Sequence, residues 1–124
     1  MKKLVTILTA ATLGSVSFEI SAVAAENFQK LSGVQIRAKF TGMQLTDEVH
    51  WRDIYDRDGT LRSYSMGTKE IGKWSIQKDE LCLDLRHPDG GCFEVWLSGA
   101  RVKMRPSGLG LVVEGVLQTP TDRN

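Results

Sequence analysis

Leu81-Cys82-Leu83-Asp84-Leu85-Arg86 and Cys92-Phe93-Glu94-Val95-Trp96-Leu97 are the two stretches that decide the fold. In the first, Leu81, Leu83 and Leu85 alternate with Cys82, Asp84 and Arg86. In the second, Phe93, Val95 and Leu97 alternate with Cys92, Glu94 and Trp96. A period of two marks a strand with one buried face. When the strands run antiparallel with Cys82 opposite Cys92, Leu81 falls opposite Phe93, and both apolar rows lie on one side of the sheet. A slip of one residue turns one row to solvent, so a single register brings the sulfurs together and keeps the hydrophobic face whole.

A disulfide between Cys82 and Cys92 is the expected state of two cysteines in an exported chain. Closing so short a loop stabilises the fold by roughly 2–3 kcal/mol. The competing readings are a metal site and a reactive thiol. Cys-x₉-Cys in a chain with 2 histidines matches no zinc spacing, and no Cys-x-x-Cys is present.

Export is read from the N-terminus. Met1-Lys2-Lys3 forms a short positive region, and Leu4 to Phe18 is apolar apart from small and hydroxyl residues. Ala22-Val23-Ala24, or Val23-Ala24-Ala25, offers the small-x-small pattern of a cleavage site. Residues 1–25 are expected to be a bacterial-type signal peptide, with a retained short anchor as the alternative, and residues 26–124 a single domain. No cysteine near the cleavage site allows lipidation. Lys2, Lys3 and Glu19 leave with the leader, so acids and bases balance in the mature chain. Beyond the leader no apolar run is long enough to span a membrane. The expected compartment is the periplasm or the exterior.

The 124 residues, 41% hydrophobic and 25% charged with net charge +1, have the proportions of one ordinary globule. Such a charge gives no bulk attraction to nucleic acid or anionic lipid, so no nucleic-acid partner is expected.

Upstream of the two strands, Ser32 and Gln35 make a capping box, Leu31 and Ile36 a hydrophobic staple, and Gly42 suits the left-handed residue after a helix. A short helix over about 33–41 follows, although Val34, Ile36, Ala38 and Phe40 also alternate, which leaves a strand open. After Gly42 the period is two, and turn signals recur: Asp58-Gly59, Gly67, Gly72, Lys78-Asp79, Asp89-Gly90-Gly91, Ser98-Gly99 and Pro106-Ser107-Gly108. The segments between them are Gln44–Trp51, Arg52–Asp56, Leu61–Ser65, Lys73–Gln77, Leu81–Arg86, Phe93–Leu97, Val102–Arg105 and Leu111–Leu117. The fold class expected is mainly β: a small antiparallel up-and-down barrel, or a strongly bent meander, of seven to eight strands, with one short N-terminal helix. Leu45, Trp51, Tyr55, Trp74, Ile76, Leu83, Phe93, Val95 and Val113 are available to point inward. So small a domain barely builds a core, and a mostly filled interior is expected. Residues 118–124 are expected to fray.

Chemistry is sparse. Asp53-Ile54-Tyr55-Asp56-Arg57-Asp58-Gly59 resembles half a calcium loop, but Ile54 and Ser65 stand where the first and last acids belong. His50, placed in a strand beside Trp51, and His87, opening the Arg86-His87-Pro88-Asp89 turn, would make a metal site only by converging with Asp53 or Asp89. No nucleophile elbow, zinc-protease helix motif or phosphate loop is present. No catalytic residue, metal or cofactor is therefore expected. Arg101, Lys103 and Arg105 alternate along one strand face. With Arg37 and Lys39 they form either a basic patch for an anionic partner or a solvated outer face. Trp96 lies on the Cys92 and Glu94 face, away from the apolar row, and is the best single pointer to a contact surface. The candidate surface comprises Trp96, His87, Asp89, Arg101, Lys103 and Arg105.

The order Arg57-Asp58-Gly59-Thr60-Leu61, Gly72-Lys73-Trp74-Ser75-Ile76, Asp79-Glu80-Leu81-Cys82 and Cys92-Phe93-Glu94-Val95 resembles a group of small exported proteins of alphaproteobacteria, especially rhizobial relatives. Leu31-Ser32-Gly33 and Phe40-x-Gly42 fit the same group. Its motifs are turn and core residues, so the resemblance implies a structure and carries over no functional residue. Ser98-Gly99-Ala100-Arg101 alone is similar to a stretch of periplasmic lysozyme inhibitors, which are small eight-stranded barrels. The functional expectation is an exported, non-enzymatic binding or accessory protein, with an unknown protein or small ligand as its partner. An inhibitor of a secreted hydrolase, inserting His87–Gly91 or Ser98–Arg101 into a cleft, and a small-molecule or lipid carrier are the alternatives.

Overall fold

The computed structural model describes residues 9–15, 27–86 and 88–121. Most of the expected leader, His87, and the end of the tail from 122 onward lie outside the described residues. In chain order the elements are β1 (Gln29–Lys30), α1 (Gly33–Phe40), β2 (Gln44–Thr46), β3 (Trp51–Tyr55), β4 (Thr60–Ser65), β5 (Thr68–Gln77), β6 (Glu80–Asp84), β7 (Gly91–Ser98), β8 (Arg101–Pro106) and β9 (Val113–Gln118).

Strands β2 to β9 pair each with the next, all antiparallel, and β9 returns to β2 with Leu117 opposite Leu45. The result is a closed eight-stranded up-and-down barrel. β1 adds to the free stretch of β7, placing Lys30 opposite Trp96. Closure removes the exposed edges that an open meander would carry.

The deciding register is the expected one: Leu81 faces Phe93, Cys82 faces Cys92, and the two sulfurs are bonded. Leu81, Leu83, Phe93 and Val95 are buried inside, joined by Leu45, Tyr55, Leu61, Trp74, Val102, Met104 and Leu117. Helix α1 caps one end. Ser32 accepts from the Gln35 amide while the Gln35 side chain accepts from the Ser32 amide, and Asp79 takes the Gly33 N–H at 2.6 Å. Gly42 is left-handed, as expected after a helix. Ile36 and Phe40 are fully buried, and Phe40 stacks edge-on to Tyr55, which stacks edge-on to Trp74. The interior is packed side chain on side chain.

Three local expectations are corrected. Gln44–Trp51 is not one strand. Asp47 Oδ1 takes the N–H groups of Val49, His50 and Trp51, and Thr46 Oγ1 takes that of Glu48. These side-chain acceptors compete with the ladder and fold 47–50 into a turn, so His50 sits in that turn and not in a strand. Gly72 is not a turn but lies within β5, where the Asp84 carbonyl and the Leu85 side chain occupy the space a Cβ would need. The turn expected at Gly67 is the one that leads into β5, with Met66 and Gly67 both left-handed. The last strand starts at Val113 rather than Leu111. It runs on to Gln118, which pairs with Gln44, so the chain is still in the sheet where fraying was expected.

Candidate functional site

The outer face of β7 and β8 collects part of the expected contact surface. Cross-strand pairing sets Trp96 against Lys103, Glu94 against Arg105 and Ser98 against Arg101. All of these side chains point away from the barrel because their neighbours Val95, Val102 and Met104 point in. Segment 27–28, leading into β1, crosses this face. Asn27, Phe28, Trp96, Lys103, Arg105, Val112 and Glu114 line a surface groove of about 460 Å³. It continues as a smaller depression, about 220 Å³, past Arg101 towards Asp47 and Val116.

Aromatic and charged groups interleave there. The Lys103 ammonium lies 4.3 Å from the centre of the Phe28 ring, and the Arg105 guanidinium 5.7 Å from that of Trp96. Such cation–aromatic contacts hold long side chains against the sheet. Glu94 pairs with Lys30 at 3.5 Å and accepts from the Trp96 indole N–H at 3.3 Å, while Glu114 pairs with Lys103 at 3.7 Å. Trp96 is thus half-buried and fixed in orientation. Phe28, absent from the expected surface, belongs to it; no strand periodicity marks residue 28, and only the docking of β1 on β7 brings it in.

The other expected residues fall elsewhere. Asp89 is exposed on the loop between β6 and β7, its N–H bonded to the Arg86 carbonyl. His87, on the same loop, lies outside the described residues. Arg37 extends over the Trp74 ring from α1, which packs on β5 and β6, so Arg37 and Lys39 do not join the cations of β8. That corrects the extended basic patch, because the helix covers a barrel end and not the β8 face.

Asp53, Asp56 and Asp58 do not converge on a cation. Asp56 forms a two-pronged pair with Arg62 at 2.8 and 2.9 Å, and Asp58 takes the Thr60 N–H. His50 Nδ1 lies 2.8 Å from Asp47 Oδ2 on the surface. Desolvation pushes the Asp47 carboxyl up, but amide hydrogen bonds from Trp51, His50 and Val49 outweigh it and hold the group well below the usual range. Among the described residues, Glu80, Cys82 and Cys92 bring three ligand-type atoms together, but the sulfurs are consumed in the disulfide.

Asp53 was not singled out by the sequence as an interior residue. It stands opposite Leu45 and Ser63, on the inner face of β3 between Trp51 and Tyr55. Ser63 Oγ donates to it at 2.6 Å. Burial raises its pKa to about 6 against the Ser63 hydrogen bond, with a smaller push from the Asp89 charge. Burial, then the Asp53 charge, lifts the Tyr55 phenol well above its ordinary value. A further concavity, about 630 Å³, spreads over the outer face around Lys73, Ser75, the disulfide and Asp84.

No family model, no curated protein and no solved structure matches this chain. No helix among the described residues is long and apolar enough to cross a membrane, which says nothing of strands.

Proposed function

We propose that this chain is an exported, non-enzymatic binding protein whose contact surface is the outer face of β7 and β8. The observation that carries this reading is Trp96. A large indole on the side of the sheet opposite the core is held against Arg105 and Glu94, and it lines a groove with Phe28 and Lys103. Rigid aromatic anchors beside Arg, rimmed by ion pairs, are the usual makings of a binding hot spot. The packed interior speaks against the carrier reading, which needs a lumen. The leader and the disulfide support export.

A tagged protein produced through the export route and used to capture partners from the periplasm tests the reading. The wild type retains a partner, and Trp96→Ala with Arg105→Ala loses it while melting at the wild-type temperature. Identical capture by both proteins refutes the assignment of this face. A second reading, inhibition of a secreted hydrolase, is favoured by the tight hairpin Ser98–Arg101. Its two-residue tip, Gly99-Ala100, is exposed, with Gly99 left-handed. Hydrolase activity unchanged by excess protein removes that reading.

A further inference from the structure

The two ends of the barrel differ in kind. Because the meander alternates direction, the connections 56–59, 78–79 and 99–100 lie at the end capped by α1, and 47–50, 66–67, 85–90 and 107–112 lie at the other. At the helix end the connections carry Asp56, Arg57, Asp58, Lys78 and Asp79, which are ordinary polar turn residues. At the opposite end three separate connections hold aliphatic side chains out into water. Val49 is 79% exposed, Met66 77%, Leu111 89%, and Leu109 is fully exposed. Val34 on α1 is a large apolar side chain exposed at the helix end.

Met66 is the sharpest instance. Met66-Gly67 is a two-residue turn with both residues left-handed, φ 50° and 81°, a conformation that favours Asn-Gly. Methionine there is strained backbone holding an apolar group away from the core. The equivalent turn at the helix end, with φ 47° and 60°, is Lys78-Asp79. Connection 107–112 contains Gly108 and Gly110 and no charge.

Behind these tips stand aromatic residues flanked by cations. Tyr64, close behind Met66, lies between Arg52 at 4.2 Å and Lys69 at 5.6 Å. Arg105, one residue from the end of β8, stands behind Leu109 and Leu111, and Val112 of that connection lines the groove that runs from it down the wall to Trp96 and Phe28. The exposed acids towards this end are Glu48, beside Val49, Asp84 and Asp89 around the connection after β6, and Glu114, which is paired with Lys103. Aliphatic tips followed by aromatics and cations reproduce the order of environments met on entering a bilayer: acyl boundary, interface, headgroups. Tips on separate connections suit a fluid apolar medium better than a partner protein, whose interface core needs one contiguous packed patch.

We propose that this end of the barrel docks on a phospholipid bilayer, with Met66, Leu109 and Leu111 entering the acyl boundary and Arg52, Lys69 and Arg105 facing anionic headgroups. The proposal shares Arg105 with the side-face reading but rests on Met66, Leu109 and Leu111, which lie outside that groove, and Val34 and the helix end point away from the lipid. Co-sedimentation of the exported protein with vesicles of phosphatidylcholine containing phosphatidylglycerol tests it. Wild type is expected in the pellet, and more weakly so with phosphatidylcholine alone. The combined variant Met66→Asn, Leu109→Ser, Leu111→Ser is expected to bind at least about tenfold less, because its apolar tips are gone. Val34→Ser is expected to leave binding unchanged. All these positions are exposed, and unchanged thermal melts confirm intact barrels. Wild type remaining in the supernatant, equal binding by the combined variant, or an equal loss with Val34→Ser overturns the proposal. So does a wild-type dimer, seen by light scattering, that ignores vesicles and becomes monomeric in the combined variant; the tips then join two copies.

Discussion

Asp53 is a half-buried carboxylic acid on the inner face of the barrel wall, and its titration leaves a signature in stability. With a folded pKa of about 6 and an unfolded value near the ordinary 3.8, the native state binds more protons than the unfolded chain between those values. Stability therefore falls as pH rises from about 4 to about 6, then levels off, by at most about 3 kcal/mol. Asp53→Asn, which keeps an acceptor for Ser63, is expected to flatten that decline and to melt higher than wild type at pH 7. Thermal melts across pH 4–7 measure both effects. Gly72→Ala is expected to destabilise by about 2–3 kcal/mol, because the added methyl meets the Asp84 carbonyl; denaturant titration reads it. The sequence signalled neither residue correctly. Asp53 fell in the expected segment Arg52–Asp56 and resembled half a calcium loop, not an inward carboxylate, and Gly72 looked like punctuation. A glycine demanded by a neighbouring backbone and a glycine demanded by a turn are the same letter.

Elements whose cause is local were legible, and those whose cause is a side-chain detail or a distant partner were not. The helix followed from its Ser32–Gln35 box, and the β6–β7 pair from two alternating rows and two cysteines. The β2–β3 turn was hidden because Leu45, Val49 and Trp51 fall on alternate places, while Asp47 gathers three amides out of that ladder. Ser32→Ala is expected to lower stability by about 1 kcal/mol and no more, since Asp79 still holds the Gly33 amide. Cys82→Ala with Cys92→Ala is expected to cost roughly 2–3 kcal/mol in urea titration. Its circular dichroism should remain that of the wild-type barrel, because the Leu81–Phe93 register is also enforced by burial. Loss of the β spectrum in that variant would show that the sulfurs, not the apolar rows, set the pairing.

At the scale of the whole molecule, a packed barrel leaves binding to its outside. The side face around Trp96 was partly foreseen, because strand alternation alone puts the indole opposite Val95. Its companions Phe28 and Val112 come from an added strand and a loop end, which no periodicity announces. Trp96→Ala is expected to shift the melting temperature little, since the indole covers the sheet from outside, and to remove partner capture. A large loss of stability would mark Trp96 as a structural cover for the wall instead. The seam between β9 and β2 carries a further consequence. Leu117 must lie against Leu45 before the wall is complete, and residues 113–118 are made after every other strand of that wall. Until they arrive, the nascent polypeptide holds two unpaired margins and cannot reach its final shape. Closure therefore waits on a pairing between strands far apart along the chain, the kind of contact that forms slowly and leaves edges open to misassociation in the meantime.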